Sequence, residues 1–353
     1  MIVVLTGNYR GGIFQFAQHV VSVFQEIGKA TVLFAPENSE HISESTQTYV
    51  RRNSLNPLNR QYKQIADRIL AHKPELVFVC DSNLVTARIV LSLDQSIPVY
   101  MCVHDVKAHP NYKAVKQYLK DLIKQPYISA AWRAVRKVVV LSEHSKRELK
   151  KYCPAVTSKI GIIRLGAHPP RVAEKKPKEV SCENAFYLFF GRMDKYKGIE
   201  NLLQAYTKDA DNMPYELVLA GSGVLNEKEE ALIASCPQKV TLVKRYISDE
   251  EMVWLYKHAR CVVLPYIEAS QSGVLSMAYH FGKAVIASDL EGLKEFIEIG
   301  RTGLVYSDID QLRHFLLNID QVLPEERAWI DQYVQQSLDW SVNIRKCLGE
   351  DLR

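Results

Sequence analysis

No part of this 353-residue chain approaches the roughly 20 consecutive apolar residues needed to span a bilayer, although 47% of it is hydrophobic. A soluble protein is expected. The opening MIVVLTGNYRGG lacks the basic start, long apolar stretch and small-residue cleavage site of a secretory signal, and reads as a strand and a turn. The seven cysteines, Cys80, Cys102, Cys153, Cys182, Cys236, Cys261 and Cys347, are odd in number, widely spaced and without a CxxC pair. Neither a disulfide framework nor a thiolate zinc site is indicated, and reduced thiols in the cytoplasm fit best. No paired-aspartate metal motif follows a strand. Helix-turn-helix, zinc-finger and RNA-recognition signatures are missing too, so nucleic acid is not an expected partner.

The length suits two domains of ordinary size, each with its own apolar centre. Short β-rich runs recur in the first half at residues 2–5, 31–35, 76–80, 99–103, 137–142 and 161–165, with helical stretches between them. The clearest helix runs over 13–27, where Phe14, Ala17, Val21 and Phe24 share a face and Gly28 supplies the stop. Near-continuous apolar strands alternating with helices predict a parallel sheet covered on both faces. A proline- and charge-rich stretch then follows Gly166 without periodicity, and reads as an interdomain connection. The alternation restarts at 187–191, 216–221, 240–244, 261–265, 284–288 and 303–306. The expected fold class is therefore α/β, with two Rossmann-like doubly wound lobes over 1–168 and 169–324 whose strand ends face a central cleft. A helical segment over 325–353 is expected to return to the first lobe.

Charge is distributed unevenly: residues 1–168 hold 23 basic against 12 acidic side chains, and the remainder 22 against 28. Lys113, Lys116, Lys120 and Lys124 recur at helical spacing, with Arg133, Arg136 and Lys137 behind them. That face suits either solvent or an anionic partner, such as lipid headgroups at the inner face of a membrane or a diphosphate-lipid acceptor.

Chemistry is concentrated where strands end. Gly7 to Gly12, after the first strand, lead into a helix whose free amides suit phosphate or an acceptor hydroxyl, though glycines there also serve turn geometry alone. Arg192 and Lys197, in GRMDKYKG, stand five residues apart around a turn and can reach one diphosphate, the guanidinium as a fork and the ammonium as a point charge. In PYIEASQSGVLS, Ser272, Gly273 and Val274 open a helix and Glu268 precedes it, so amides can meet phosphate while the carboxylate accepts from sugar hydroxyls. Ser272 can equally be a helix cap. His104 follows a strand and can line the same cleft.

Taken in order, GRMDKYKG, LVLAGSG, RYISDEE and PYIEASQSGVLSMAYHFGKAVIAS with EGLKEFI resemble the C-terminal half of retaining glycosyltransferase family 4, of GT-B architecture. The Gly11–Gly12 loop, His104-Asp105, VVVLSEHSKREL and IIRLGAH resemble first-lobe positions. The resemblance implies a transferase moving a sugar from a UDP- or GDP-sugar, which is a substrate and not a cofactor, to a glycan or lipid-linked acceptor in polysaccharide synthesis, without metal. It assigns Arg192 and Lys197 to the donor diphosphate, Glu268 to the sugar, Ser272 to Leu275 to phosphate, Arg245, Tyr246 and Ile247 to the base, and His104 to the sugar site, with Gly191 and Gly221 also binding the donor. Gly11 and Gly12 border the donor. Where the family carries a second glutamate on the ribose, this chain has Ser276, so ribose recognition differs. A sugar-nucleotide epimerase of the same fold and a non-catalytic nucleotide-sugar binder are the alternatives.

Overall fold

The computed structural model describes residues 1–39, 46–50, 60–106, 115–167, 169–170, 172–324 and 326–349. The chain divides into two compact units, one formed by Met1–Arg164 with the segment from Trp340 onward, the other by Leu165–Asp339.

In the first unit, β1 (Ile2–Leu5), α1 (Gly12–Glu26), β2 (Thr31–Pro36), β3 (Thr46–Tyr49), α2 (Gln61–Ala71), β4 (Leu76–Val79), α3 (Leu84–Val90), β5 (Val99–Val103), α4 (Val115–Ala134), β6 (Lys137–Val140), α5 (Glu143–Tyr152) and β7 (Ile160–Ile162) follow one another. The strands pair in parallel in the order β3-β2-β1-β4-β5-β6-β7. Every residue of β1, β4 and β5 is buried, as the unbroken apolar runs require of a sheet with helices on both faces. Helix α1 stops where Gly28 turns left-handed (φ 81°), letting the Lys29 amide close back on the Phe24 carbonyl at 2.9 Å.

In the second unit, β8 (Phe186–Phe190), α6 (Ile199–Thr207), β9 (Glu216–Gly221), α7 (Glu227–Ser235), β10 (Val240–Lys244), α8 (Asp249–His258), β11 (Ala259–Leu264), α9 (Gly273–His280), β12 (Ala284–Ser288), α10 (Glu291–Lys294), β13 (Gly303–Tyr306), α11 (Ile309–Leu317), α12 (Ile319–Val322) and α13 (Glu326–Ser337) succeed one another. Its parallel sheet runs β10-β9-β8-β11-β12-β13. Both sheets thus carry the doubly wound order in which neighbouring strands lead in opposite directions, which opens a crevice between β1 and β4 in one and between β8 and β11 in the other.

Three expectations change. Strand β3 was not anticipated: its polar TQTY lacks an apolar run, and it is anchored by the buried Tyr49, whose hydroxyl donates to the Thr6 carbonyl at 2.6 Å. The connection after Gly166 belongs to the second unit, because Val180 and Cys182 enter its core and the Lys175 amide donates to the Glu250 carbonyl at 3.1 Å. The closing segment divides: α13 stays with the second unit, its Tyr333 edge-on to Tyr279 at 5.6 Å, and only α14 (Trp340–Leu348) joins the first. There Lys137 donates to the Cys347 carbonyl at 2.6 Å.

Candidate functional site

In the second unit the GRMDKYKG and PYIEASQSGVLS segments follow β8 and β11 and so border the crevice between these two strands. The turn after β8 begins at Gly191 (φ 119°) and is held against the end of β9, with the Gly191 amide donating to Ala220 and the Met193 amide to Ser222, at 3.0 and 2.7 Å. Gly221 is required there because its α-carbon faces the Gly191 carbonyl with no room for a side chain, at φ 148°. The turn closes at Gly198, left-handed at φ 64° and pressed on the Pro265 carbonyl. Strand ends β8, β9 and β11 are therefore fixed to one another by backbone contacts that only glycine permits.

The loop after β11 is tied on both sides. The Ile267 amide donates to the Tyr196 carbonyl at 2.7 Å, and Ser288, at the end of β12, donates to the Tyr266 carbonyl at 2.6 Å. Half-buried Glu268 stands in this loop ahead of α9. Ser272 caps that helix, its hydroxyl accepting from the Leu275 amide at 3.4 Å, so the capping role open at the level of sequence is filled. The amides of Gly273 and Val274 lie at the first helical positions, where no intrahelical acceptor exists. Gln271, just before the cap, keeps its side-chain oxygen enclosed without a hydrogen-bond partner among the described residues.

Lys197 places Nζ 3.6 Å from the centre of the Tyr266 ring. Burial, and then the nearby Arg192, push its ammonium down to about 7, with Asp194 opposing. Arg192 is 68% exposed and pairs with Asp194 at 3.0 Å. Two cations and a helix amide end thus share one crevice, an arrangement that attracts a doubly charged phosphate group. Tyr266 was not singled out in the sequence; its position directly behind an apolar strand is the only signal that pointed to it.

Two expected donor residues are committed elsewhere. Arg245 grips Glu179 and Glu251 through charge-assisted hydrogen bonds of 2.7 to 2.8 Å, so its guanidinium is engaged within the protein. Ser276 is buried and donates to the Leu165 carbonyl at 2.6 Å. Ile247 is buried as well, while Tyr246 on the same segment is 77% exposed.

In the first unit the crevice between β1 and β4 is organised by Asp81, which sequence reading passed over although it directly follows a strand. Its buried carboxylate accepts from the Gly7 amide (2.8 Å), Asn8 Nδ2 (2.7 Å), Thr86 Oγ1 (2.9 Å) and Asn83 Nδ2 (3.1 Å). This fixes the turn that carries Gly11 and Gly12, of which Gly11 is left-handed at φ 75° and precedes α1 without a side-chain cap. His104, at the end of β5, hydrogen-bonds the Cys80 carbonyl through Nε2 at 2.8 Å. Burial holds its imidazole below the usual histidine range. Of the basic series, Lys113 and the side chains of Lys116 and Lys120 lie outside the described residues. Among the described residues no helix is long and apolar enough to cross a membrane.

Residues 185–323 match the family model described as Glycosyl transferases group 1. Over that stretch the chain is similar to group 1 glycosyltransferases, and its two α/β units have a GT-B fold. Over its length this fold is shared with sucrose-phosphate synthase from Thermosynechococcus elongatus, at TM-score 0.74 and 18% identity, covering 98% of this chain and 96% of that one. It is shared likewise with HepE of Anabaena, solved with UDP and glucose, at TM-score 0.70 and 14% identity over 99% of each. Curated relatives include an uncharacterized glycosyltransferase of Methanocaldococcus jannaschii, 26% identical over 172 residues, 46% of this chain and 44% of that protein. Another is the D-rhamnosyltransferase WbpZ of Pseudomonas aeruginosa, 25% identical over 212 residues, 55% of this chain and 54% of that one. The chain spans about half the length of the curated relatives it matches.

Proposed function

We propose that this protein is a retaining glycosyltransferase that takes a sugar from a UDP- or GDP-sugar and passes it to a glycan or lipid-linked acceptor, in the synthesis of cell-surface polysaccharide. The observation that carries the reading is the seat of Lys197 over Tyr266, beside Arg192 and the amide end of α9. HepE, solved with UDP and glucose, shares the fold and supports a nucleotide-sugar donor.

On this reading the diphosphate lies against Lys197, Arg192 and the Gly273 and Val274 amides, and Glu268 accepts from the sugar hydroxyls. As the bond from the anomeric carbon to the phosphate oxygen breaks, negative charge grows on the leaving nucleotide, and the fixed cations and amides stabilise it without reorganising. The acceptor oxygen attacks the same face of the sugar, giving its proton to the departing phosphate, so configuration is retained. His104 lines the sugar site, and the cations do the work of a metal, so no divalent ion is required. The protein works at the cytoplasmic face of a membrane, where the basic first unit meets anionic lipid.

Nucleotide release from a panel of UDP- and GDP-sugars, with and without EDTA, tests this. The expected outcome is slow hydrolysis of one donor, unaffected by EDTA and reduced at least about 100-fold in Arg192→Ala, Lys197→Ala and Glu268→Ala, the usual scale for removing one charge-stabilising group. Binding without release, even with lipid-linked acceptors added, would make the protein a non-catalytic binder. Isomerisation of the sugar without release would make it an epimerase.

A further inference from the structure

Helix α1 and the returning α14 build an aromatic chain that ends on His104. The Phe16 ring stands edge-on to the His104 imidazole, with centroids 5.0 Å apart and planes at 85°. Behind it Trp340, the first residue of α14, packs on Phe16 at 5.3 Å and on His19 at 4.6 Å. Phe16 and Trp340 are both buried. On its other side His104 is held by the hydrogen bond from Nε2 to the Cys80 carbonyl. A carbonyl can only accept, so Nε2 carries the proton and Nδ1 is left with its lone pair. No hydrogen bond occupies Nδ1 among the described residues.

We propose that Phe16, braced by Trp340, is a positioning residue for His104, fixing the imidazole plane against the Cys80 carbonyl so that Nδ1 is presented as a hydrogen-bond acceptor to a substrate hydroxyl. The inference rests on the transferase reading for the substrate, but not for the geometry. Three restraints act on one ring: a hydrogen bond between the ends of β4 and β5, an aromatic edge from α1, and a tryptophan that stops that edge from turning away. Burial also favours the uncharged imidazole, which alone keeps an acceptor at Nδ1. The charged groups facing the ring are Asp105 on its own segment and Asp81 beyond the end of β4, and both favour the imidazolium. The Cys80 carbonyl favours it too, and burial, to which the Phe16 contact contributes, outweighs all three and keeps the ring in the acceptor form.

The test follows the His104 ring by nitrogen-detected NMR titration in the full-length protein, assigned with His104→Gln, in wild type, Phe16→Leu, Trp340→Leu and Trp340→Phe. The wild type is expected to show the Nε2-protonated tautomer and to titrate below an ordinary histidine. In Phe16→Leu and Trp340→Leu the titration moves up toward the ordinary value and the tautomers mix, while Trp340→Phe restores wild-type behaviour. On the donor that the wild type hydrolyses, Phe16→Leu lowers kcat about tenfold with donor KM within about twofold, the signature of lost orientation. Unchanged His104 titration and tautomer in a folded Phe16→Leu protein would overturn the proposal. Wild-type protein that shows the expected ring behaviour but turns over no donor would instead remove the transferase reading and leave the positioning intact.

Discussion

With its ammonium set over the Tyr266 ring and Arg192 nearby, Lys197 gives up its proton at about pH 7 when no anion is bound. A diphosphate stabilises the protonated form, so the nucleotide complex holds more protons than the free protein once the pH rises past that value. Affinity must then fall with rising pH, by at most about tenfold per pH unit, because each unit of pKa difference is worth a factor of ten. Phosphate titrates itself near pH 6, so the informative window lies between about pH 7 and 9. Calorimetric titration of UDP and GDP across that window should show the decline in wild type and its loss in Lys197→Arg, whose guanidinium stays charged. Parallel profiles for the two proteins would remove Lys197 from the anion site.

At the scale of elements, Arg245, in the loop before α8, joins the segment before β8 to the first turn of α8 by gripping Glu179 and Glu251. The guanidinium holds the Glu179 carboxyl down to about 2, against an ordinary value near 4.5. The folded pKa is the lower one, so this stabilisation is complete above pH 4.5 and fades as the pH falls toward 2. Arg245→Ala should therefore lower the stability of the second unit at pH 7 by about 1–2 kcal/mol, discounted because a third of the arginine remains in solvent, and should flatten the acid limb. Thermal unfolding from pH 2 to 7 would decide it, and an undiminished acid limb would count against the clamp. The same clamp shows what the sequence could not convey. Strands and their loops were legible because apolar runs and glycines are local signals: GRMDKYKG and PYIEASQSGVLS both fall at the switch point of the second sheet. Arg245 looked like a ligand contact because nothing local reveals partners such as Glu179, 66 positions earlier. Asp81 escaped notice for a similar reason, since its donors Gly7 and Asn8 lie on a different strand end, and Thr46–Tyr49 because a polar edge strand has no pattern of its own.

For the molecule as a whole, the two sheets repeat one winding order, but the units are not successive stretches of chain. Residues from Trp340 on are part of the first unit, where Tyr100 and Lys137 bond the carbonyls that end α14. Removing the chain after Asp339 uncovers the Phe16 and His19 rings and leaves the second unit with all its own strands. Scanning calorimetry should then show one transition lowered, by several degrees for a loss of a few kcal/mol in a unit of this size, and one unmoved. Equal lowering of both would contradict the division.

This interrupted arrangement also orders events on the ribosome. Although its β-strands emerge first, the first unit cannot seat Trp340 on α1 until that residue has been translated, whereas Leu165–Asp339 is complete before that point. The second unit can finish folding while the first still waits for its last helix, reversing the amino-to-carboxyl sequence in which domains generally mature during synthesis.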